Sequence, residues 1–133
     1  MSDITRGLLD TSVIIDHQAI DAAHLPDESA IAAITMAELA AGPLATDDTE
    51  EQARRQERLQ WAAATWDPLP FDNAAAQAYG RVFVAVRNAG RTPRSRFADL
   101  LIAATAIARG LPLYTRNPSD FSGLSDLITI VTV

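Results

Sequence analysis

The chain has 133 residues, of which 48% are hydrophobic and 21% are charged, and its net charge is −6. This length and composition predict a single globular domain over residues 1–133 and exclude a disordered chain. The chain contains no cysteine, which excludes disulfides and cysteine-bound zinc. The first residues do not resemble a signal peptide, and no apolar run is long enough to cross a bilayer. We therefore expect a cytoplasmic protein that does not contact a membrane.

The distribution of positive charge is uneven. All 11 basic residues are arginine, and four of them lie in the segment RNAGRTPRSR, residues 87–96. The negative net charge argues against a protein that binds nucleic acid through its overall charge. The segment 87–96 is either a solvated loop or a basic surface on an acidic molecule, and composition alone does not separate the two.

Strand-like apolar runs and helical segments alternate along the chain. The predicted order is strand 6–10, helix 12–18, strand 28–34, helix 35–44, helix 47–66, strand 67–71, helix 72–90, helix 96–110, strand 111–115, turn 117–124 and strand 127–133. Asp72 and Gly90 are the expected ends of the helix 72–90. Because the strands are nearly continuous hydrophobic runs between helices, the sequence predicts an α/β sandwich with a mostly parallel central sheet.

Polar residues follow the predicted strands. Asp10 follows the first strand, Glu38 lies in the first turn after the second, and Asn117 and Asp120 follow the strand 111–115, while Asp99 begins a helix. In parallel sheets, ligand sites lie beyond the carboxyl ends of the strands. We therefore expect these side chains to meet on one rim of the sheet.

Each acid also has a purely structural explanation. Asp10 could cap the next helix, Thr35 and Glu38 could form a capping box, Asp99 could favour its helix N-terminus and Asp120 could belong to a turn. Together, however, carboxylates bordered by apolar sequence would repel one another unless a cation lay between them. An all-oxygen cluster suits Mg²⁺ or Mn²⁺, and such ions promote phosphodiester hydrolysis.

Three blocks carry a family resemblance: LLDTSVIID at 8–16, TMAELAAG at 35–42 and FADLLIAATAIARGLPLYTRNPSDF at 97–121. Together with the chain length, they resemble the PIN-domain ribonucleases, and among these the VapC toxins of prokaryotic toxin–antitoxin pairs. The resemblance spans essentially the whole chain. It implies a PIN-like α/β/α sandwich and a Mg²⁺-dependent endoribonuclease, with Mn²⁺ as an alternative ion. It also implies a transfer or ribosomal RNA substrate, a VapB-type antitoxin that blocks the site, and a toxin homodimer.

The resemblance assigns roles to the acids. Asp10, Glu38 and Asp99 match the acids that bind the metal in that family. Where many members have a further acid two residues after a threonine, this chain has Asn117, which can offer only a neutral oxygen. Asp120 is the alternative for this fourth position.

The resemblance also points to supporting residues. Ser12 and Thr115 match small hydroxyl residues that orient the carboxylates or hold water. With RNA as the substrate, three arginines of the loop become candidate phosphate contacts, namely Arg91, Arg94 and Arg96. Arg96 could instead pair with Asp99 on the first helical turn.

Two other functions deserve comparison. A phospho-accepting receiver domain also gathers acids at strand ends, but such domains resemble one another in needing a lysine, which this chain lacks. A PIN-like RNA- or protein-binding module without catalysis is the remaining alternative. It is disfavoured because Asp10, Glu38 and Asp99 are all present.

Overall fold

The structure is a computed structural model, and it describes residues 3–133. Its strands and longer helices are β1 (Arg6–Leu9), α1 (Thr11–Ile15), β2 (Glu28–Ala30), α2 (Ala33–Ala41), α3 (Thr49–Thr65), α4 (Asn73–Asn88), α5 (Phe97–Arg109), β3 (Leu113–Thr115) and β4 (Ile130–Thr132). Short 3₁₀ segments lie at His17–Ala19, Ala22–His24, Gly42–Ala45, Pro93–Arg96 and Pro118–Phe121.

The four strands form one parallel sheet in the order β2-β1-β3-β4. β1 is an inner strand, with β2 on one side and β3 on the other. The residue that follows β1 is therefore close to the middle of the carboxyl edge of the sheet, which is where sites in such sheets form. That residue is Asp10.

Helices cover both faces of the sheet, as the sequence predicts. On one face, Leu8 and Leu113 belong to a core that includes residues of α4 and α5. On the other face, Leu9 and Tyr114 pack with residues of α1, α2 and α3. Successive residues of β1 and β3 therefore face opposite layers, which explains why these strands are continuous hydrophobic runs. The predicted α/β/α sandwich is confirmed.

The second predicted strand is shorter than expected. The sequence suggested a strand over 28–34, whereas β2 ends at Ala30 and α2 begins at Ala33. The N-cap residue of α2 is Ala32, and no side chain caps this helix. Thr35 therefore lies inside the first turn, and the alternative explanation of Thr35 and Glu38 as a capping box is wrong.

The predicted strand 67–71 is reduced to one parallel bridge between Ala32 and Leu69. The amide of Leu69 donates to Ile31 O at 2.9 Å, and its carbonyl accepts from Ala33 N at 2.8 Å. Pro68 and Pro70 have no amide hydrogen, so the ladder cannot extend on either side. This bridge nevertheless fixes the start of α2.

Helix ends follow the local sequence more closely. Asp72 caps α4 by accepting a hydrogen bond from Ala75 N at 3.0 Å, and Gly90 follows the helix with φ 77°. α5 ends at Gly110, whose φ of 65° is left-handed and suits glycine. Within residues 3–133, none of the helices has both the length and the apolar character that a membrane span requires.

Candidate active site

Asp10 is held rigidly at the end of β1. It is 3% exposed and is the N-cap of α1. Its Oδ1 accepts hydrogen bonds from Ser12 N at 2.8 Å, from Val13 N at 3.3 Å and from the hydroxyl of Ser12. Its Oδ2 accepts from Thr115 Oγ1 at 2.6 Å. The cap and the site therefore use the same carboxylate, so the two interpretations of Asp10 are compatible.

The two hydroxyls beside Asp10 are themselves oriented by the chain after β3. Arg116 N donates to Ser12 Oγ at 3.1 Å, and Asn117 N donates to Thr115 Oγ1 at 2.9 Å. Because each hydroxyl accepts an amide hydrogen, its own hydrogen is directed to the carboxylate. The structure thus brings Ser12 and Thr115 together with Asp10, although Thr115 is 105 residues away in sequence.

Glu38 lies in the second turn of α2, one turn later than the sequence suggested. Its Oε1 accepts a hydrogen bond from Thr11 Oγ1 at 2.6 Å. The hydroxyl of Thr11 also lies 3.1 Å from the hydroxyl of the buried Thr35. Sequence reasoning missed both threonines as site residues. Their signals were the positions of Thr11 directly after Asp10 and of Thr35 one turn before Glu38.

Asp99 lies in the first turn of α5 and is partly buried. Burial, as the largest cause, and the negative charges of Asp120, Glu38 and Asp10 together raise the pKa of its carboxyl to about 6. The positive charge of Arg96 opposes this change. Asp120, Glu38 and Asp10 are therefore near enough to Asp99 for their charges to act on its carboxyl.

Asn117 and Asp120, the two candidates for the fourth site position, differ in their surroundings. Asp120 lies in the 3₁₀ segment Pro118–Phe121, with a side chain only 17% exposed, and its charge acts on Asp99. Asn117 is exposed and precedes that segment. Its backbone amide donates to Thr115 Oγ1 and its backbone carbonyl accepts from Asp120 N at 3.0 Å, so its observed contacts are those of the backbone. This arrangement favours Asp120 as the acid that accompanies Asp99.

The arginines of the loop before α5 differ in their contacts. Arg96 Nη2 lies 3.4 Å from Asp120 Oδ1, so its ion pair is with Asp120 rather than with Asp99 as one alternative suggested. Arg91 Nη1 donates to the carbonyl oxygens of Asp120 at 3.3 Å and Ser122 at 3.1 Å. Arg91 therefore supports the turn that carries Asp120, while Arg94 is exposed.

The chemistry of this rim fits a hard divalent cation. Its four candidate ligands are carboxylates, and oxygen ligands are those that Mg²⁺ and Mn²⁺ prefer. In residues 3–133, no three acidic or histidine side chains are already arranged as a metal-binding group. The negative charges of Asp120, Glu38 and Asp10 add to burial in raising the pKa of Asp99. A bound cation would offset these charges.

Residues 7–126 match the PIN domain family. The chain is a PIN-domain protein. Its relatives within that family include Ribonuclease VapC5 of Mycobacterium tuberculosis (strain ATCC 25618 / H37Rv), which is 37% identical over 127 residues that cover 93% of this chain and 91% of the relative. Ribonuclease VapC8 of Mycobacterium tuberculosis (strain CDC 1551 / Oshkosh) is 38% identical over 105 residues, covering 78% of this chain and 93% of the relative.

A solved PIN-domain structure agrees with the fold described above. The VapBC-5 toxin–antitoxin complex of Mycobacterium tuberculosis contains a chain that is 37% identical to this one. The two superpose with a TM-score of 0.85 over 97% of this chain and 99% of the other. The residues that match the PIN domain family, 7–126, include all four rim carboxylates.

Proposed function

We propose that this PIN-domain protein is a metal-dependent endoribonuclease toxin of the VapC type. The observation that carries the proposal is the gathering of three carboxylates, Asp120, Glu38 and Asp10, around Asp99. Burial and these charges together raise the pKa of Asp99 to about 6. Such a cluster is stabilised by a divalent cation and is suited to phosphodiester hydrolysis. The ribonuclease names of VapC5 and VapC8 support the same reaction class.

In this proposal, Asp10, Glu38 and Asp99 bind Mg²⁺ or Mn²⁺, and Asp120 completes the acidic rim. Asn117 contributes at most a neutral oxygen from the edge. When bound, the ion supplies Lewis-acid chemistry that lowers the pKa of a water molecule and offsets charge on the phosphate. The acids also keep the site negative, so RNA binding and cleavage both depend on the cation.

The surrounding hydroxyls keep Asp10 in one orientation. Its Oδ1 is occupied by donors from Ser12 and Val13, whereas its Oδ2 accepts the single hydrogen bond of Thr115 among the contacts of residues 3–133. Oδ2 therefore retains a lone pair that can face a cation. Ser12 and Thr115 act as positioning residues, because outer hydrogen bonds of this kind orient metal-binding carboxylates.

The basic loop supplies the complementary charge for RNA. Arg94 and Arg96 are exposed in the loop before α5, and Arg96 is paired with Asp120 of the rim. Guanidinium groups bind phosphate oxygens in a bidentate manner. Arg91 belongs to the same surface but is engaged with backbone carbonyls, so its contribution to RNA binding is partly indirect. The substrate class is structured RNA, either transfer or ribosomal, recognised through the shape of a loop.

The proposal includes two protein partners. The solved relative is a VapBC toxin–antitoxin complex, and this supports a VapB-type antitoxin as a partner. We propose that this antitoxin covers the acidic rim. A basic side chain would be attracted to that rim, since Arg96 offsets only part of the negative charge of its four carboxylates. We also propose a homodimer, and an RNA substrate places the activity in the cytoplasm.

The test is cleavage of transfer and ribosomal RNA by the purified chain. We expect cleavage with Mg²⁺ or Mn²⁺, none with EDTA, and a loss of at least about a hundredfold for Asp10→Asn, because a metal-binding charge is removed. The matched control is Asp126→Asn, which removes an exposed carboxylate that does not contribute to the change in Asp99.

The alternative function predicts a different outcome. A catalytically silent PIN-like module would bind RNA or a protein without cleaving RNA under any of these conditions. Equal cleavage by wild type, EDTA-treated protein and Asp10→Asn would contradict the metal-dependent mechanism.

A further inference from the structure

Glu38 differs from Asp10 in how it is placed. Asp10 is buried and accepts several hydrogen bonds, whereas Glu38 is exposed on α2 and has a longer, more flexible side chain. An exposed glutamate loses considerable rotamer entropy when it is fixed. A ligand at this position therefore needs an interaction that selects one orientation of its carboxylate.

Two threonines provide that interaction. Thr11 Oγ1 donates to Glu38 Oε1 at 2.6 Å, and the hydroxyls of Thr11 and Thr35 lie 3.1 Å apart. A hydroxyl has one hydrogen to donate, so Thr11 gives its hydrogen to the carboxylate and accepts that of Thr35. The contacts form a chain that runs from Thr35 through Thr11 to Glu38.

Thr35, the first member of this hydrogen-bonded series, is held rigidly. Thr35 is fully buried, and it lies three residues before Glu38, so both side chains share one side of α2. Thr11 is the first residue of α1 and directly follows Asp10. The threonine pair therefore joins α1 to α2 and fixes the carboxylate of Glu38 relative to that of Asp10.

We infer that Thr11 and Thr35 are positioning residues, and that they hold one oxygen of Glu38 so that the other faces the cation. The inference rests on the proposed function, since it takes Glu38 as a metal ligand. It adds two residues that contact neither the cation nor the RNA. Loss of hydrogen bonds in this outer position commonly lowers metal affinity by about 10- to 100-fold.

The experiment measures Mn²⁺ affinity by calorimetry in the absence of RNA. We expect Thr11→Val to bind Mn²⁺ about tenfold more weakly, because valine keeps the shape and removes the donor. Thr11→Ser restores the hydroxyl and should bind within about twofold of wild type. Thr35→Val should bind Mn²⁺ a few-fold more weakly, because Thr11 keeps its hydrogen bond to Glu38 but loses the hydrogen bond from Thr35.

The matched control is Thr105→Val. Thr105 is also a buried threonine, but its hydroxyl donates to the carbonyl of Leu101 within α5, 2.9 Å away. The Thr105→Val variant should retain wild-type Mn²⁺ affinity. An equal loss in Thr105→Val and Thr11→Val would overturn the inference, because it would reflect general loosening of the fold.

A further variant separates this inference from the proposed function. Glu38→Gln should weaken Mn²⁺ binding at least as much as Thr11→Val. If Glu38→Gln weakens binding but Thr11→Val matches wild type, the positioning inference fails and the proposed function stands. If Glu38→Gln itself binds Mn²⁺ normally, Glu38 is not a ligand and that part of the proposed function fails as well.

Discussion

At the scale of single residues, Asp10 shows how a helix cap and a candidate metal ligand can be the same group. Its Oδ1 satisfies the first amides of α1, and its Oδ2 meets the hydroxyl of Thr115. A cap of this kind contributes about 1 kcal/mol, so it restrains the carboxylate without a separate structural element. Asp99 contrasts with this arrangement, because its carboxyl is placed among like charges.

The raised pKa of Asp99 predicts an unusual dependence of stability on pH. The carboxyl titrates at about 6 in the fold, instead of its ordinary value of 3.8. Between these values the folded state holds a proton that the unfolded chain has released. The metal-free protein should therefore lose stability as pH rises from about 4 to about 6, and the loss should persist above that range.

The variant Asp99→Asn isolates this effect. In EDTA at pH 7 it should have a higher free energy of unfolding than wild type, by on the order of 1–2 kcal/mol after solvent screening of the part-exposed carboxyl. The difference should vanish near pH 4. Urea denaturation at both pH values measures it, and a wild type that is the more stable at pH 7 would contradict the assignment.

At the scale of secondary structure elements, β1 packs closely against a side chain of β3 because it has a glycine at position 7. A Cβ atom on Gly7 would overlap the ring of Tyr114 and lie 3.3 Å from Pro26 Cγ. Gly7→Ala should therefore displace Tyr114, which directly precedes Thr115. We expect a loss of about 1–3 kcal/mol in the free energy of unfolding, as for overpacked cores, together with weaker Mn²⁺ binding.

A glycine-to-alanine substitution in α4 should instead raise the free energy of unfolding. Gly80 is exposed in the interior of that helix, and an added Cβ meets nothing within 4 Å. Gly80→Ala should stabilise the protein by about 0.5–1 kcal/mol, because alanine favours helix. Denaturation curves of the two variants test both signs, and similar values for the two would contradict the close contact at Gly7.

The loop before α5 provides a second prediction at this scale. Arg96 is paired with Asp120, although 55% of its side chain is exposed. In the metal-free protein it therefore offsets part of the negative charge of the rim. Arg96→Gln should tighten Mn²⁺ binding by about two- to fivefold, which is the range of an exposed ion pair. Arg94→Gln is the control and should leave the affinity unchanged.

At the scale of the whole molecule, the rim joins segments that are far apart in sequence. A cation bound there should stabilise the entire fold. At a free Mn²⁺ concentration of 100 times Kd, the gain is about 2.7 kcal/mol, or on the order of 10 °C in Tm for a chain of this size. Thermal unfolding with and without Mn²⁺ measures this, and Asp10→Asn should remove the increase. An unchanged increase in that variant would place the ion elsewhere.

The sequence predicted the layered fold and the order of most elements, because hydrophobic runs and helix ends are local signals. It misjudged the segments 28–34 and 67–71, where a single bridge between Ala32 and Leu69 sets the start of α2. Such a contact depends on tertiary structure, as does the hydroxyl pair of Thr11 and Thr35. Residue types after strands indicated the carboxylates, but not which side chains would orient them.

One consequence concerns synthesis of the chain. Asp10 emerges from the ribosome early, but Thr115, its partner across 105 residues, belongs to β3 near the end. β1 cannot gain its neighbour β3 until the chain has been made as far as residue 115. An enzyme that cleaves RNA is translated in direct contact with messenger, transfer and ribosomal RNA. Because Asp99 and Asp120 are translated long after Asp10, the growing chain carries no finished acidic rim until residue 120 has been made.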